Sequence, residues 1–224
     1  MCGHGVFAPA DLNDLTFLAR RSERLRAWIM QDENMPRVVD PQARADEILE
    51  AAIKILSEGG FARLTLSNLA KELGGSIRLV THYFRNREEL IHGIVERLTR
   101  ETDVILDELR SLDDPRERLR RALGWFLLAD LQDMREESVR LALRDHQGDP
   151  SVDEFFDVVE PSMRRVLRVA ISGDETTYVR EEDVDLLRIW TSGIALNAIE
   201  RPALWTIEHQ ERALDHLLQI FASR

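Results

Sequence analysis

Residues 64–84 read Leu-Thr-Leu-Ser-Asn-Leu-Ala-Lys-Glu-Leu-Gly-Gly-Ser-Ile-Arg-Leu-Val-Thr-His-Tyr-Phe, and the spacing of three of them decides the fold. Two helices that cross at a steep angle need a small residue at the crossing, which Ala70 supplies. Four residues later Gly74 can take a positive φ and turn the chain sharply. Ser76 offers an N-cap oxygen to the second helix, and Val80 returns to the small core shared with Leu66, Leu69 and Leu73. An alanine, a glycine and an aliphatic residue at these separations predict a helix-turn-helix, with helices over 66–73 and 77–84. Neither is long enough to be stable alone, so packing must hold them.

Outward from this motif the pattern stays helical, with no alternating strands and no hairpin dipeptides. Upstream, Asp40-Pro41 starts a helix with the apolar stripe Ile48, Ala51, Ala52, Ile55 and Leu56, and Gly59-Gly60 ends it. Downstream, Asn86 caps a long helix through Leu90, Ile94, Leu98 and Ile105 towards Leu109, with Glu89 placed for a capping box. Asp114-Pro115 and Asp149-Pro150 mark further starts, and the remainder divides into helices near 115–130, 134–146, 151–171, 183–200 and 207–222. A weaker amphipathic helix is expected over 11–30, followed by a polar linker. The expected fold class is therefore all-α: an N-terminal three-helix unit, a connecting helix and a larger C-terminal bundle.

Composition excludes several alternatives. A chain of 224 residues can bury a substantial core without staples. Its 44% hydrophobic and 32% charged residues argue against general disorder and against a membrane bundle. The one cysteine, Cys2, leaves no internal disulfide or cysteine-based zinc site. There is no apolar run of transmembrane length and no secretory leader, since Arg20, Arg21, Glu23, Arg24 and Arg26 interrupt the N-terminal segment, so a cytoplasmic location is expected.

The net charge of −11 is unevenly placed. Residues 1–35, 36–100 and 101–224 carry net charges of −1, +1 and −11. Within 61–87, Arg63, Lys71, Arg78, Arg85 and Arg87 face only Glu72. A basic island in an acidic chain suits contact with phosphate, whereas a solvated helix face with a chance charge bias would carry no such meaning.

The segment from about 41 to 101 resembles the TetR family of transcriptional regulators. The resemblance rests on Ile48-Leu49-x-Ala51-Ala52, Ile55-Leu56, Gly60-Phe61, Leu64-Thr65, Leu69-Ala70, Gly74-x-Ser76, His82-Tyr83-Phe84 and Arg87-Glu88-x-Leu90. It implies a DNA-binding domain over 40–101, a ligand-binding and dimerisation domain over 102–224, and an N-terminal extension or linker over 1–39. By this resemblance Thr65 and Ser67, at the start of the positioning helix, face phosphate, and Ser76 is a further DNA-binding candidate. Ile77, Arg78, Thr81 and His82 face the major groove, with Arg78 the expected base reader because guanidinium can bond guanine O6 and N7 together. Tyr83 and Arg87 match family positions that hold the DNA backbone. Arg78, Thr81 and Gly75 depart from the residues usual in the family, which implies a different operator and a looser turn.

The resemblance also implies a homodimer built on the last two helices, where Trp190, Gly193, Ala198, Leu214, Leu217, Leu218 and Phe221 are the candidates; packing within one chain is the competing use of these residues. Ala195 shares the small-residue face. A small-molecule effector is expected in an apolar cavity lined by Trp125, Leu128, Met134, Leu141, Phe156, Val159 and Met163. The expected partners are double-stranded operator DNA, the effector and a second copy of the chain, with no membrane, metal or cofactor. The expected activity is repression relieved by the effector. The alternative is a helical ligand-binding or scaffold protein whose helix-turn-helix no longer binds DNA.

Three weaker signals are set aside. Met1-Cys2-Gly3 is similar to the start of amidotransferases with an N-terminal cysteine nucleophile, but that chemistry sits on a β-rich fold. Glu89-x-x-His92 is half of a di-iron signature whose second half is missing. Asp153, Glu154, Asp157 and Glu160 read as a solvated acidic face. No nucleotide-binding, hydrolase or metalloprotease motif occurs, so no enzyme class is supported.

Overall fold

The computed structural model describes residues 41–222. The expected helix over 11–30, the Cys2 segment and the capping role of Asp40 lie outside them.

Helix α1 spans Pro41–Gly59 and buries Ile48, Leu49, Ala52, Ile53 and Leu56 along one stripe. A short 3₁₀ turn, Phe61–Arg63, leads into α2 (Leu66–Glu72) and α3 (Ile77–Tyr83). Thr65 Oγ1 accepts from Asn68 N–H at 3.1 Å and caps α2, and Ser76 caps α3 by accepting from Leu79 N–H. Helix α4, Arg87–Arg110, is one uninterrupted rod. Its Asn86 cap accepts from Glu89 N–H at 2.8 Å, but Glu89 reaches Arg85 N–H rather than closing the expected box on Asn86.

Helices α5 (Pro115–Trp125), α6 (Leu131–Arg144), α7 (Pro150–Ser172), α8 (Glu181–Glu200) and α9 (Ile207–Ala222) complete the bundle. No strand occurs among the described residues. Asp114 and Asp149 cap α5 and α7 with proline next, as the sequence indicates. Helix α5 stops at Trp125, five residues before its expected end. Helix α6 begins at Leu131, earlier than expected, because Asp130 and Asp133 form a reciprocal capping box.

Helices α4 and α7 pack along each other, and α1 lies against α4 and α6. Gly93 permits the α1–α4 approach: a Cβ there would stand 2.9 Å from both Leu49 and Phe84 side chains. One apolar core joins the small unit to the bundle, running from Ile48, Leu69, Val80 and Leu90 to Val139, Val152 and Phe155. Leu66 and Leu73, expected inside, are only partly buried at its edge. A second core under α8 and α9 contains Leu123, Leu167, Leu187, Leu214 and Leu218.

Candidate nucleic-acid interface and bundle cavity

The turn between α2 and α3 closes as the sequence requires. Gly74 has φ +61°. Gly75 N–H donates to Ala70 O at 2.9 Å and Gly74 N–H to Lys71 O at 3.2 Å, the two bonds of a Schellman ending. The looser turn expected from Gly75 is not found, because backbone bonds fix it; only the apolar contact that a larger side chain would add is missing.

Val80 and Phe84 turn inward from α3, leaving Ile77, Arg78 and His82 exposed on one face with Thr81 half-buried beside them. Residues at these positions, one turn apart on a helix, present a single edge to a groove. Thr65 and Ser67 are exposed at the start of α2. Tyr83 is half-buried against the head's core, with His82 set edge-on at 5.0 Å.

Charge around this face is more positive than the sequence count suggests. Glu72, the one carboxylate among the five cations, is paired with Lys54 of α1. Arg63, Lys71 and Arg78 are exposed and form no ion pair among the described residues. Arg85, also exposed, has only a 3.9 Å contact to Glu89. An electropositive, water-facing helix edge is what phosphate and base contact need.

Arg87 is placed differently from the sequence reading. Its guanidinium turns to the bundle, 3.3 Å from Asp149 and 4.1 Å from the centre of the Phe61 ring. Nε is buried without a hydrogen-bond partner. Arg87 thus sits at the joint between head and bundle, because α4 begins where α7 passes.

Inside the bundle a cavity of about 50 Å³ lies between α4, α5, α6, α7 and α8. Trp125, Leu128, Val159 and Met163 line it, as the sequence indicates; Met134, Leu141 and Phe156 do not. Phe155 takes the place assigned to Phe156, since it shares a helix face with Val159 and Met163 at four-residue steps. Phe156 packs towards the head's core and Met134 joins a cluster with Leu128, Ala195 and Ala198. The rest of the lining is a polar wall of Asp133, Glu136, Glu137, Arg140, Arg188 and Thr191, which no apolar stripe in the sequence marks.

Arg97, 4% exposed, stands behind that wall. It contacts Glu50 of α1, Glu101 of α4 at 3.5 Å and Glu136 of α6 at 3.4 Å. Burial disfavours its charge, but the three carboxylates outweigh that and hold its pKa above the ordinary value.

The α8–α9 candidates also divide. Ala198, Leu214 and Leu218 are buried against their own chain, with Trp190, Leu217 and Phe221 packed partly against the same core. Gly193 faces open space. The apolar side chains that do reach solvent are Leu186, Ile189 (70% exposed) and Ile220. The cause is helix rotation: the stripe Leu187, Ile194 and Ala198 packs inward, so Leu186, Ile189 and Gly193 face out.

His92 lies 3.0 Å from Glu154 and 3.4 Å from Glu96, and no cluster suited to a metal ion occurs among the described residues. No helix there is long and apolar enough to cross a membrane.

Comparison with known proteins agrees with this geometry. Residues 48–94, from mid-α1 into α4, match the family model described as bacterial regulatory proteins, tetR family. The HTH-type transcriptional regulator PksA of Bacillus subtilis strain 168 is 28% identical over 176 residues, covering 75% of this chain and 84% of PksA. A transcriptional regulator from Rhodococcus sp. Rha1 superposes with a TM-score of 0.63 at 26% identity, covering 79% of this chain and 94% of that one. A putative transcriptional regulator from Saccharomonospora viridis, solved in complex with choline, shares the fold with a TM-score of 0.60 at 22% identity, covering 80% and 96%. With a capped helix-turn-helix, an exposed cationic edge and relatives named as transcriptional regulators, residues 48–94 form a DNA-binding head of the TetR family of transcriptional regulators.

Proposed function

We propose that the protein is a homodimeric repressor that leaves a palindromic operator when a small molecule enters the bundle. Residues 40–101 would form the DNA-binding domain and 102–224 the ligand-binding and dimerisation domain. The observation that carries this reading is the edge of α3, where Arg78 stands exposed; Arg63 and Lys71 of the same head are exposed too, and no carboxylate engages any of the three among the described residues. Thr65, Ser67, Ser76 and Tyr83 would fix the head on phosphates, while Ile77, Arg78, Thr81 and His82 meet base edges.

Dimerisation is supported by the outward stripe of Leu186, Ile189 and Gly193 on α8 with Ile220 on α9. The two reading helices of a symmetric dimer fit successive major grooves only about 34–36 Å apart. Helix α4 carries the head and packs along α7, so a change in the bundle tilts the head and alters that spacing. A ligand that prefers the wrong spacing lowers operator affinity, and DNA lowers ligand affinity by the same factor. The choline complex of a regulator with this fold supports small-molecule control.

The test is selection of bound duplexes from random DNA, followed by titration of the selected site at several salt concentrations. A two-fold symmetric site bound with a steep salt dependence is the expected result. Absence of saturable DNA binding would leave a helical ligand-binding protein as the better reading.

A further inference from the structure

The reading edge of α3 sets an apolar side chain beside a cation. Ile77 is 48% exposed, and between 41 and 101 it is the one large apolar side chain left to solvent. Arg78, next to it, is exposed and engages no carboxylate among the described residues. Val80 and Phe84 turn into the core, so the groove-facing positions of α3 are Ile77, Arg78, Thr81 and His82.

Each base pair shows the major groove its own set of groups, and few side chains tell them apart. Adenine is read by the paired contacts of an Asn or Gln amide and cytosine by a carboxylate. Helix α3, Ile-Arg-Leu-Val-Thr-His-Tyr, has neither. From 68 to 86 the amide and carboxylate side chains are Asn68, Glu72 and Asn86, and each is engaged. Asn68 Nδ2 donates to Arg63 O at 2.8 Å, Glu72 pairs with Lys54, and Asn86 accepts from Glu89 N–H at 2.8 Å. Threonine serves more than one base, and the Thr81 hydroxyl already donates to Arg78 O at 3.3 Å. The His82 ring donates or accepts according to its protonation. Two discriminating groups remain. A guanidinium matches guanine O6 and N7 together, and an aliphatic side chain matches the thymine 5-methyl group.

We infer, on the reading that α3 lies in the major groove, that each operator half-site pairs a guanine bonded by Arg78 with a nearby thymine whose 5-methyl group packs on Ile77. Neighbouring residues of a helix stand about 1.5 Å apart along its axis and point in different directions around it. Base pairs follow one another at about 3.4 Å, so the two side chains reach adjacent steps rather than a single base. The methyl contact takes Ile77 out of water without neutralising a phosphate, so its contribution is independent of salt.

The test starts from the duplex selected out of random sequence, remade with deoxyuridine in place of each thymine in turn, which deletes one methyl group and nothing else. One such change beside the guanine should weaken binding about fourfold, or about fifteenfold when made in both half-sites, with the salt slope unchanged. In Ile77→Ala that penalty should disappear. Replacing the guanine by 7-deazaguanine removes the N7 acceptor and should cost about tenfold or more with the parent chain, and little with Arg78→Ala. A half-site without guanine, or affinity indifferent to the loss of every thymine methyl, overturns the inference and leaves DNA binding standing. A methyl penalty that persists in Ile77→Ala overturns the assignment to Ile77 in the same way. Absence of saturable DNA binding overturns the inference together with the reading beneath it. The deoxyuridine series uses the unaltered protein, so an Ile77→Ala chain that fails to fold does not blunt it.

Discussion

Arg87, the first residue of α4, reaches Asp149, the cap of α7, at 3.3 Å, while its guanidinium covers the Phe61 ring at 4.1 Å. His146 meets the same ring at 4.6 Å, so one phenylalanine of the head is held by two residues reached through the bundle joint. Removing Arg87 therefore acts on the joint rather than on phosphate. Arg87→Ala should lower stability by about 1–2 kcal/mol, from a half-exposed ion pair and a cation–π contact. The slope of operator affinity against salt should stay unchanged. A slope reduced by nearly one counterion would put Arg87 on the DNA backbone instead.

Asp149 gives this joint an acid limit. The Ser151 hydroxyl, the Ser151 N–H and then Arg87 hold its carboxyl below the usual range, against a smaller opposing effect of burial. A lowered folded value means the stabilisation is complete above the ordinary pKa of about 4 and is lost as pH falls through the folded one. Asp149→Asn should be less stable than the parent at neutral pH, and the gap should close in acid. Denaturant midpoints measured from pH 7 down to pH 3 check this; a gap that widened in acid would contradict it.

Arg78 is exposed on the reading edge of α3. Arg78→Ala should cost about 1–3 kcal/mol of operator affinity and relax preference at one position of each half-site. Lys71→Ala, by contrast, should weaken all sequences alike. Unchanged affinity and preference in Arg78→Ala would mean that the head docks in another orientation.

Ile189 is 70% exposed on α8, so a charge there does little to the isolated fold. On the proposed dimer, Ile189→Glu should yield monomers and abolish operator binding, with little loss of helical content. Light scattering coupled to size exclusion reads the first effect. A variant that stays dimeric would place the interface elsewhere.

Gln210 is 1% exposed and fastens α9 to the end of α5. Its Oε1 accepts from Leu128 N–H at 2.9 Å, and its Nε2 donates to Leu128 O and Trp205 O at 3.1 and 3.0 Å. Gln210→Leu keeps the volume but leaves buried backbone groups unpaired, at about 1–3 kcal/mol for each group that water cannot reach. Denaturant unfolding should show a loss well above that of Gln219→Leu, an exposed control on the same helix.

The helix-turn-helix was legible in the sequence because its determinants are local. Thr65, Gly74, Ser76 and Asn86 act on backbone groups within a few residues of themselves, and such caps work the same way wherever the helix is docked. Proline after Asp114 and Asp149 marked two more starts for the same reason. The Asp130–Asp133 box is equally local; it was missed because aspartate stands where glutamate usually closes the box.

What the tertiary structure decided are the pairs that distant segments make. Arg87 and Asp149 are 62 residues apart, and Arg97 and Glu136 are 39 apart. No periodicity in either helix encodes that meeting, since it depends on how α4 docks against α6 and α7. The choice of Phe155 over Phe156, and of Ile189 over Ala198 as the solvent-facing residue of α8, depends on helix rotation about its axis. A stripe of apolar residues fixes that rotation only to within about one residue, or 100°. Burial against specific neighbours sets the rest: Val159 and Met163 draw Phe155 into the cavity, and the core around Leu167 draws Leu187 and Ile194 in and leaves Ile189 to the solvent.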